Sequence, residues 1–179
     1  MYLFFLLKFD ISFIHINIII NLHMTLQFNS LSLEGLIHIL NKNAYMIENQ
    51  MFQLKHYLQN NITDYKEYVS FDDSHYCKNL VYRNHIFEIY IICWKPGQMS
   101  PIHKHPKHGC IMKVLEGTLR EERYTSIKVT QKICKKNDIL FIKDTQEHII
   151  ENISKTDNLI TLHIYSPPKF YKTKYKPKL

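Results

Sequence analysis

Between residues 76 and 168 the chain is cut into short runs rich in Ile, Val, Phe, Tyr and Cys, each closed by a turn cluster. HIFEIYIICW (85–94), GCIMKVLEG (109–117), TLREERYT (118–125), SIKVTQKIC (126–134), ILFIKD (139–144) and LITLHIYSPP (159–168) are separated by stretches such as KPGQMSP (95–101) and KKND (135–138). Short apolar segments at regular spacing, with no long helix between them, predict an all-β sandwich or barrel. Upstream the period changes. LSLEGLIHIL (31–40) repeats apolar residues at helical spacing, with Ser30 or Ser32 as a cap and Glu34 in the first turn. A second helix is predicted over about 44–59, with Met51, Leu54 and Leu58 on one side.

The chain has 179 residues and is 45% hydrophobic, so one domain with a sizeable core is expected and wholesale disorder is excluded. The expected division is a helical part over 24–60 and a β part over 70–168, forming a single unit over 24–168. Residues 1–23 (MYLFFLLKFDISFIHINIIINLH) are apolar, but Lys8, Asp10, His15, Asn17 and Asn21 leave no uncharged stretch long enough to span a membrane. They also lack the charge order and small-residue cleavage site of a signal peptide. Met24 follows directly, and the expectation is an appended strand or upstream translation, with the domain starting near Met24.

The net charge is +7, and five of the excess positive charges are lysines within 169–179. Such a basic tail is expected to be solvated, so neither nucleic acid nor membrane is expected as a partner. Cys77, Cys93, Cys110 and Cys134 form no CxxC pair and match no zinc-finger spacing. Reduced thiols, a cytoplasmic address and a monomer are the expectation.

His103 and His105 stand at i and i+2. In a strand both imidazoles would project from one face, able to reach one metal ion. Their surroundings sharpen the pattern: Gly97 lies six residues before His103, Cys110 five after His105, and Gly117 seven after Cys110. His148 is followed four residues later by Asn152.

This arrangement resembles the two motifs of the cupin superfamily. Gly97, His103, His105 and Gly117 fit the first, with Cys110 where a glutamate usually stands. His148 and Asn152 fit the second, although Asn137, Lys143 and Thr145 occupy its glycine and proline places. The cysteine points to one branch, and the chain is similar to the cysteine dioxygenase family. The stretches YCKNLV (76–81), ICW (92–94), SPIHKH (100–105), CIMKVLEGTLRE (110–121), HIIENIS (148–154) and LHIYSPP (162–168) carry that likeness.

The resemblance implies a mainly β, cupin-type jelly-roll barrel preceded by two or three short helices. It implies a metal site of His103, His105 and His148 holding iron(II), Fe(2+), and oxidation of a small thiol by O2 to the sulfinate. Three neutral imidazoles would leave open positions and the full metal charge, although imidazole alone does not select iron. In the family the motif cysteine is joined by a thioether to a tyrosine, here Cys110 and Tyr165, with His163 and Thr161 continuing from the phenol along the same strand face. Tyr76 and Lys78 would meet the substrate. The family has arginine where this chain has Lys78, a point charge in place of a bidentate fork. L-cysteine is the expected substrate, with 3-mercaptopropionate or cysteamine as alternatives and a non-catalytic metal-binding cupin as a further one. Arg83, at odd parity from Lys78, is expected on the other face of an unbroken strand, and Ser166–Pro167 as a candidate cis bond.

Overall fold

The structure is a computed structural model describing residues 30–169. The expectations for 1–23, for a start at Met24 and for the tail beyond Lys169 lie outside the described residues. Helix α1 (Leu33–Lys42) starts where Ser32 Oγ accepts a hydrogen bond from the Gly35 amide at 3.0 Å, and it buries Leu33, Leu36 and Leu40. Burying each such side chain is worth about 1.5–3 kcal/mol. Helix α2 (Ala44–Gln50) runs into a 3-10 helix, Met51–Gln59. The predicted helix over 44–59 therefore tightens halfway, while Met51, Leu54 and Leu58 stay buried as expected. The buried Lys113 ammonium donates to the carbonyls of Leu58 and Asn60 and so fixes the end of this segment. A short parallel pair, β1 (Ser30–Leu31) with β2 (Asn61–Ile62), and a 3-10 turn, Tyr65–Tyr68, complete the helical part.

Eight strands follow: β3 (Cys77–Arg83), β4 (Glu88–Trp94), β5 (Gly109–Glu116), β6 (Thr118–Tyr124), β7 (Val129–Lys135), β8 (Ile139–Ile142), β9 (Glu147–Asn152) and β10 (Leu159–Ser166). They form a five-stranded sheet, β3-β4-β10-β5-β8, and a three-stranded sheet, β7-β6-β9. The fold is the expected mainly β jelly roll, built as two sheets and not as one hydrogen-bonded cylinder. One apolar cluster packs the helices on the outer face of the larger sheet through Ile89, Ile91, Ile111, Leu162 and Ile164. A second, containing Ile92, Trp94, Met112, Leu119, Ile142 and Ile150, fills the space between the sheets. β10 is therefore buried along its whole length, and its inner positions carry Thr161, His163 and Tyr165. Gly117 makes the β5–β6 turn at φ +84°, where an added Cβ would lie 2.6 Å from the Asn158 carbonyl oxygen. Ser166–Pro167 is cis.

Two expectations are corrected. Residues 102–105 are not a strand. His103 makes only an isolated bridge to His148, because Pro101 and Pro106 on either side have no amide to extend a ladder. Nor is β3 unbroken. Its register against β4 shifts between Leu80 and Tyr82, so Lys78 faces Ile92, Leu80 faces Tyr90 and Arg83 faces Glu88. The bulge at Val81 returns Arg83 to the face that carries Lys78.

Candidate metal centre

His103 and His105 come from the irregular segment before β5, and His148 from β9. The bridge between His103 and His148, with both amide–carbonyl distances at 3.1 Å, ties the two sources together. One nitrogen of each of the three rings lies within 4.8 Å of the others.

Their outer partners fix which nitrogens are bare. His103 Nδ1 is 2.9 Å from the Pro101 carbonyl, which can only accept, so Nδ1 carries the proton. His148 Nδ1 is 2.9 Å from Glu121 Oε1, a carboxylate held also by Arg123 Nε at 2.9 Å. Burial pushes the Glu121 carboxyl up, but the hydrogen bonds from His148 and Arg123 outweigh it and hold it below the usual range. The two Nε2 lone pairs then face each other at 3.2 Å. Burial holds the His103 pKa down, at about 3, and the neighbouring His148 adds to this. Burial drives His105 lower still. His105 Nδ1 is buried with no partner in hydrogen-bonding geometry, and the Gln146 backbone is only the smallest influence on that ring. Three imidazoles converging with no carboxylate among them fit a divalent transition metal.

A hydrogen-bonded file runs beside this centre along β10. Trp94 Nε1 donates to Thr161 Oγ1 at 3.0 Å, Thr161 Oγ1 is 2.9 Å from His163 Nε2, and His163 Nδ1 is 3.0 Å from the Tyr165 hydroxyl. Burial holds His163 well below the usual imidazole range, so the file is uncharged. The Tyr165 ring lies nearly parallel to that of His105, centroids 6.2 Å apart, which points the file at the metal centre. Cys110 is fully buried directly opposite Tyr165, and burial pushes its thiol far up.

On the β3 side, Tyr76 stacks on Trp94 at 4.3 Å between centroids, and Lys78 Nζ lies 5.7 Å from the Tyr76 ring. Lys78 is exposed to solvent. Desolvation lowers its pKa to about 8, against the pull of Cys110 and Glu88 toward the charged form. All nine residues singled out in the sequence thus fall in one neighbourhood. Sequence reasoning missed Trp94, Glu121 and Arg123, and it placed Arg83 on the wrong face. Glu121 had a readable signal, since it shares strand parity with the buried Leu119.

A two-sheet jelly roll with three histidines brought together, where they could hold a metal ion, has the cupin type of fold. The family model described as cysteine dioxygenase type I matches residues 31–176, and the chain belongs to that family. Cysteine dioxygenase type 1 of Homo sapiens is 34% identical over 116 residues, covering 59% of this chain and 58% of that protein. The Danio rerio protein of the same name is 34% identical over 121 residues, covering 62% and 60%. This chain therefore spans about three fifths of the length of the curated relatives it matches. Among solved structures, a Klebsiella pneumoniae protein with a double-stranded β-helix domain superposes with a TM-score of 0.52 at 23% identity, over 60% of this chain and 90% of the other. A Thermus thermophilus protein gives 0.52 at 18% identity, over 60% and 97%. These two support the fold alone. Among the described residues no helix is long and apolar enough to cross a membrane.

Proposed function

We propose that the chain is a thiol dioxygenase that adds both atoms of O2 to the sulfur of L-cysteine, giving the sulfinate, with iron(II) held by His103, His105 and His148. The observation that carries this reading is the convergence of three imidazoles, without a carboxylate, beside a cation and a phenol. Iron(II) there would supply the one-electron chemistry that lets ground-state O2 react with a thiol.

The protein's own groups do the rest. Lys78 neutralises the substrate carboxylate, with Tyr76 against its ammonium. Tyr165 presents its hydroxyl to the bound thiol, and His163, Thr161 and Trp94 hold that hydroxyl in place. Trp94 can only donate, so Thr161 must accept from it, and the Thr161 proton goes to His163 Nε2 or to the Ile92 carbonyl at 3.4 Å. Either choice leaves Tyr165 partnered. Glu121 keeps the His148 proton on Nδ1, so that Nε2 stays available. A thioether between Cys110 and Tyr165 would lock the phenol further.

Because lysine grips a carboxylate less directionally than arginine, 3-mercaptopropionate and cysteamine stand as second substrates. The four free cysteines fit a reducing, cytoplasmic setting, and residues 24–168 are the proposed catalytic unit. The test is oxygen uptake by iron(II)-loaded protein with L-cysteine, run beside the other two thiols. Uptake with a sulfinate product supports the reading. Iron binding with no uptake for any of the three contradicts it and favours a non-catalytic cupin.

A further inference from the structure

Among the described residues β3 is an edge strand, with β4 as its one neighbour. At its first residue the register sets Cys77 directly opposite Cys93. The pair stands ahead of the bulge at Val81, where the alternation is still regular. Both side chains project to the outer face of the larger sheet and pack into the apolar cluster beneath the helices. Directly opposed Cα atoms of an antiparallel pair are about 4.5–5.5 Å apart, and a disulfide accepts about 4.4–6.8 Å. Both thiols are free, Cys77 half-buried and Cys93 fully buried. Asn79 Nδ2 donates to Cys93 Sγ at 3.7 Å, so that sulfur is turned toward β3. Tyr76 and Lys78 flank Cys77 in the chain, and Trp94, on which Tyr76 stacks, follows Cys93.

We propose that Cys77 and Cys93 are a reversible modification site, which a low-molecular-weight disulfide oxidises to a cross-strand disulfide that locks the edge strand β3 onto β4. Cys77 is the thiol that an outside molecule can reach. Its thiolate attacks one sulfur of the small disulfide, forming a mixed disulfide and releasing one small thiolate. Cys93 gives up its proton to water and attacks the Cys77 sulfur, and the second small thiolate leaves. Two protein thiols thus lose two electrons, and one small disulfide is reduced to two thiols. Burial pushes the Cys93 thiol up, which makes the second step the slower one. In a reducing setting the pair rests as two thiols and closes when small disulfides accumulate. Closure stiffens the stretch that carries Tyr76 and Lys78 against the strand end that carries Trp94. Neither step uses the metal centre, so the inference stands or falls apart from the dioxygenase reading.

The experiment equilibrates the full, iron(II)-loaded chain without O2 against mixtures of oxidised and reduced glutathione, then denatures and alkylates it for peptide mass analysis. As the oxidised share rises, Cys77 and Cys93 are expected to escape alkylation together, in a linked species lighter by two hydrogens. Dithiothreitol restores both thiols, which separates this bond from a thioether at Cys110. Hydrogen exchange at the amides of residues 76–80 slows severalfold in the closed form. Cys93→Ala stops at a Cys77–glutathione mixed disulfide. Cys77→Ala, at a half-buried position, leaves Cys93 unreacted and decides the point should the first variant fail to fold. Full alkylation of both thiols in excess oxidised glutathione overturns the proposal. So does a wild-type chain that stops at the mixed disulfide, or that links either cysteine to Cys110 or Cys134. A closed bond with unchanged exchange overturns the locking of β3.

Discussion

Cys110 and Tyr165 stand directly opposite one another across β5 and β10, and the Cys110 sulfur and the Tyr165 hydroxyl both approach Nδ1 of His163, at 3.8 and 3.0 Å. Directly opposed residues of an antiparallel pair have their Cβ atoms about 4.5–5.5 Å apart. That is close enough for the sulfur to reach the ring.

The expected product is a thioether, formed with loss of the thiol hydrogen and one ring hydrogen to O2. After aerobic turnover with iron, peptide mass analysis should give a linked Cys110–Tyr165 species lighter by two hydrogens. Cys110→Ala should lack it and turn over more slowly. Quantitative alkylation of Cys110 after many turnovers would show that no link forms.

Lys78 gives the site a pH dependence whose sign can be worked out. Desolvation lowers its pKa to about 8. The ammonium is complete below that value and is lost as pH rises through it. The KM for L-cysteine should therefore climb between about pH 8 and 9, beyond any change seen with cysteamine. Lys78→Arg should abolish the climb and lower KM roughly three- to tenfold, since a guanidinium stays charged and binds bidentately. Unchanged L-cysteine kinetics in that variant would remove Lys78 from the carboxylate grip.

Glu121 is 1% exposed and holds His148 Nδ1. Glu121→Gln removes the charge that fixes this ring and leaves Arg123 beside it uncompensated. Iron affinity, measured by competition with a chelator, should fall about ten- to hundredfold. An affinity equal to wild type would mean that the Glu121 contact does not set the His148 tautomer.

Thr161→Val keeps shape but deletes the acceptor for Trp94 Nε1 and the partner of His163 Nε2, all within a buried file. Leaving such a donor unmatched should cost about 1–3 kcal/mol in denaturant unfolding. Thr161→Ser, which retains the hydroxyl, should lose less stability and keep most activity. A larger loss in Thr161→Ser than in Thr161→Val would point to methyl packing and not to the hydrogen bonds.

Much of this site was legible because its chemistry is carried by residue types at short spacings: two histidines at i and i+2, then Thr161, His163 and Tyr165 on alternate positions of one strand. What was not legible depended on register. A strand parity argument put Arg83 on the wrong face because one inserted residue, Val81, reverses the alternation, and no side-chain pattern in YCKNLVYR marks the shift. His103 and His105 meet at one point although they are not in a strand, because isolated bridges from Met99 to Glu151 and from His103 to His148 hold the segment against β9. Trp94 reads as one more apolar residue of β4 until β10 pairs beside it and sets Thr161 under its indole nitrogen. The α2 reading failed only in pitch, since both helix types bury Met51, Leu54 and Leu58.

The central claim is that three imidazoles hold an iron(II) ion at which a small thiol gains both atoms of O2. Its most direct test is turnover of L-cysteine by the iron(II)-loaded chain under isotopically labelled oxygen, with the product identified by mass. The account predicts a sulfinate carrying label at both oxygens, and no product from the His148→Ala variant. Cystine as the only product, or a sulfinate with one oxygen from water, would contradict it.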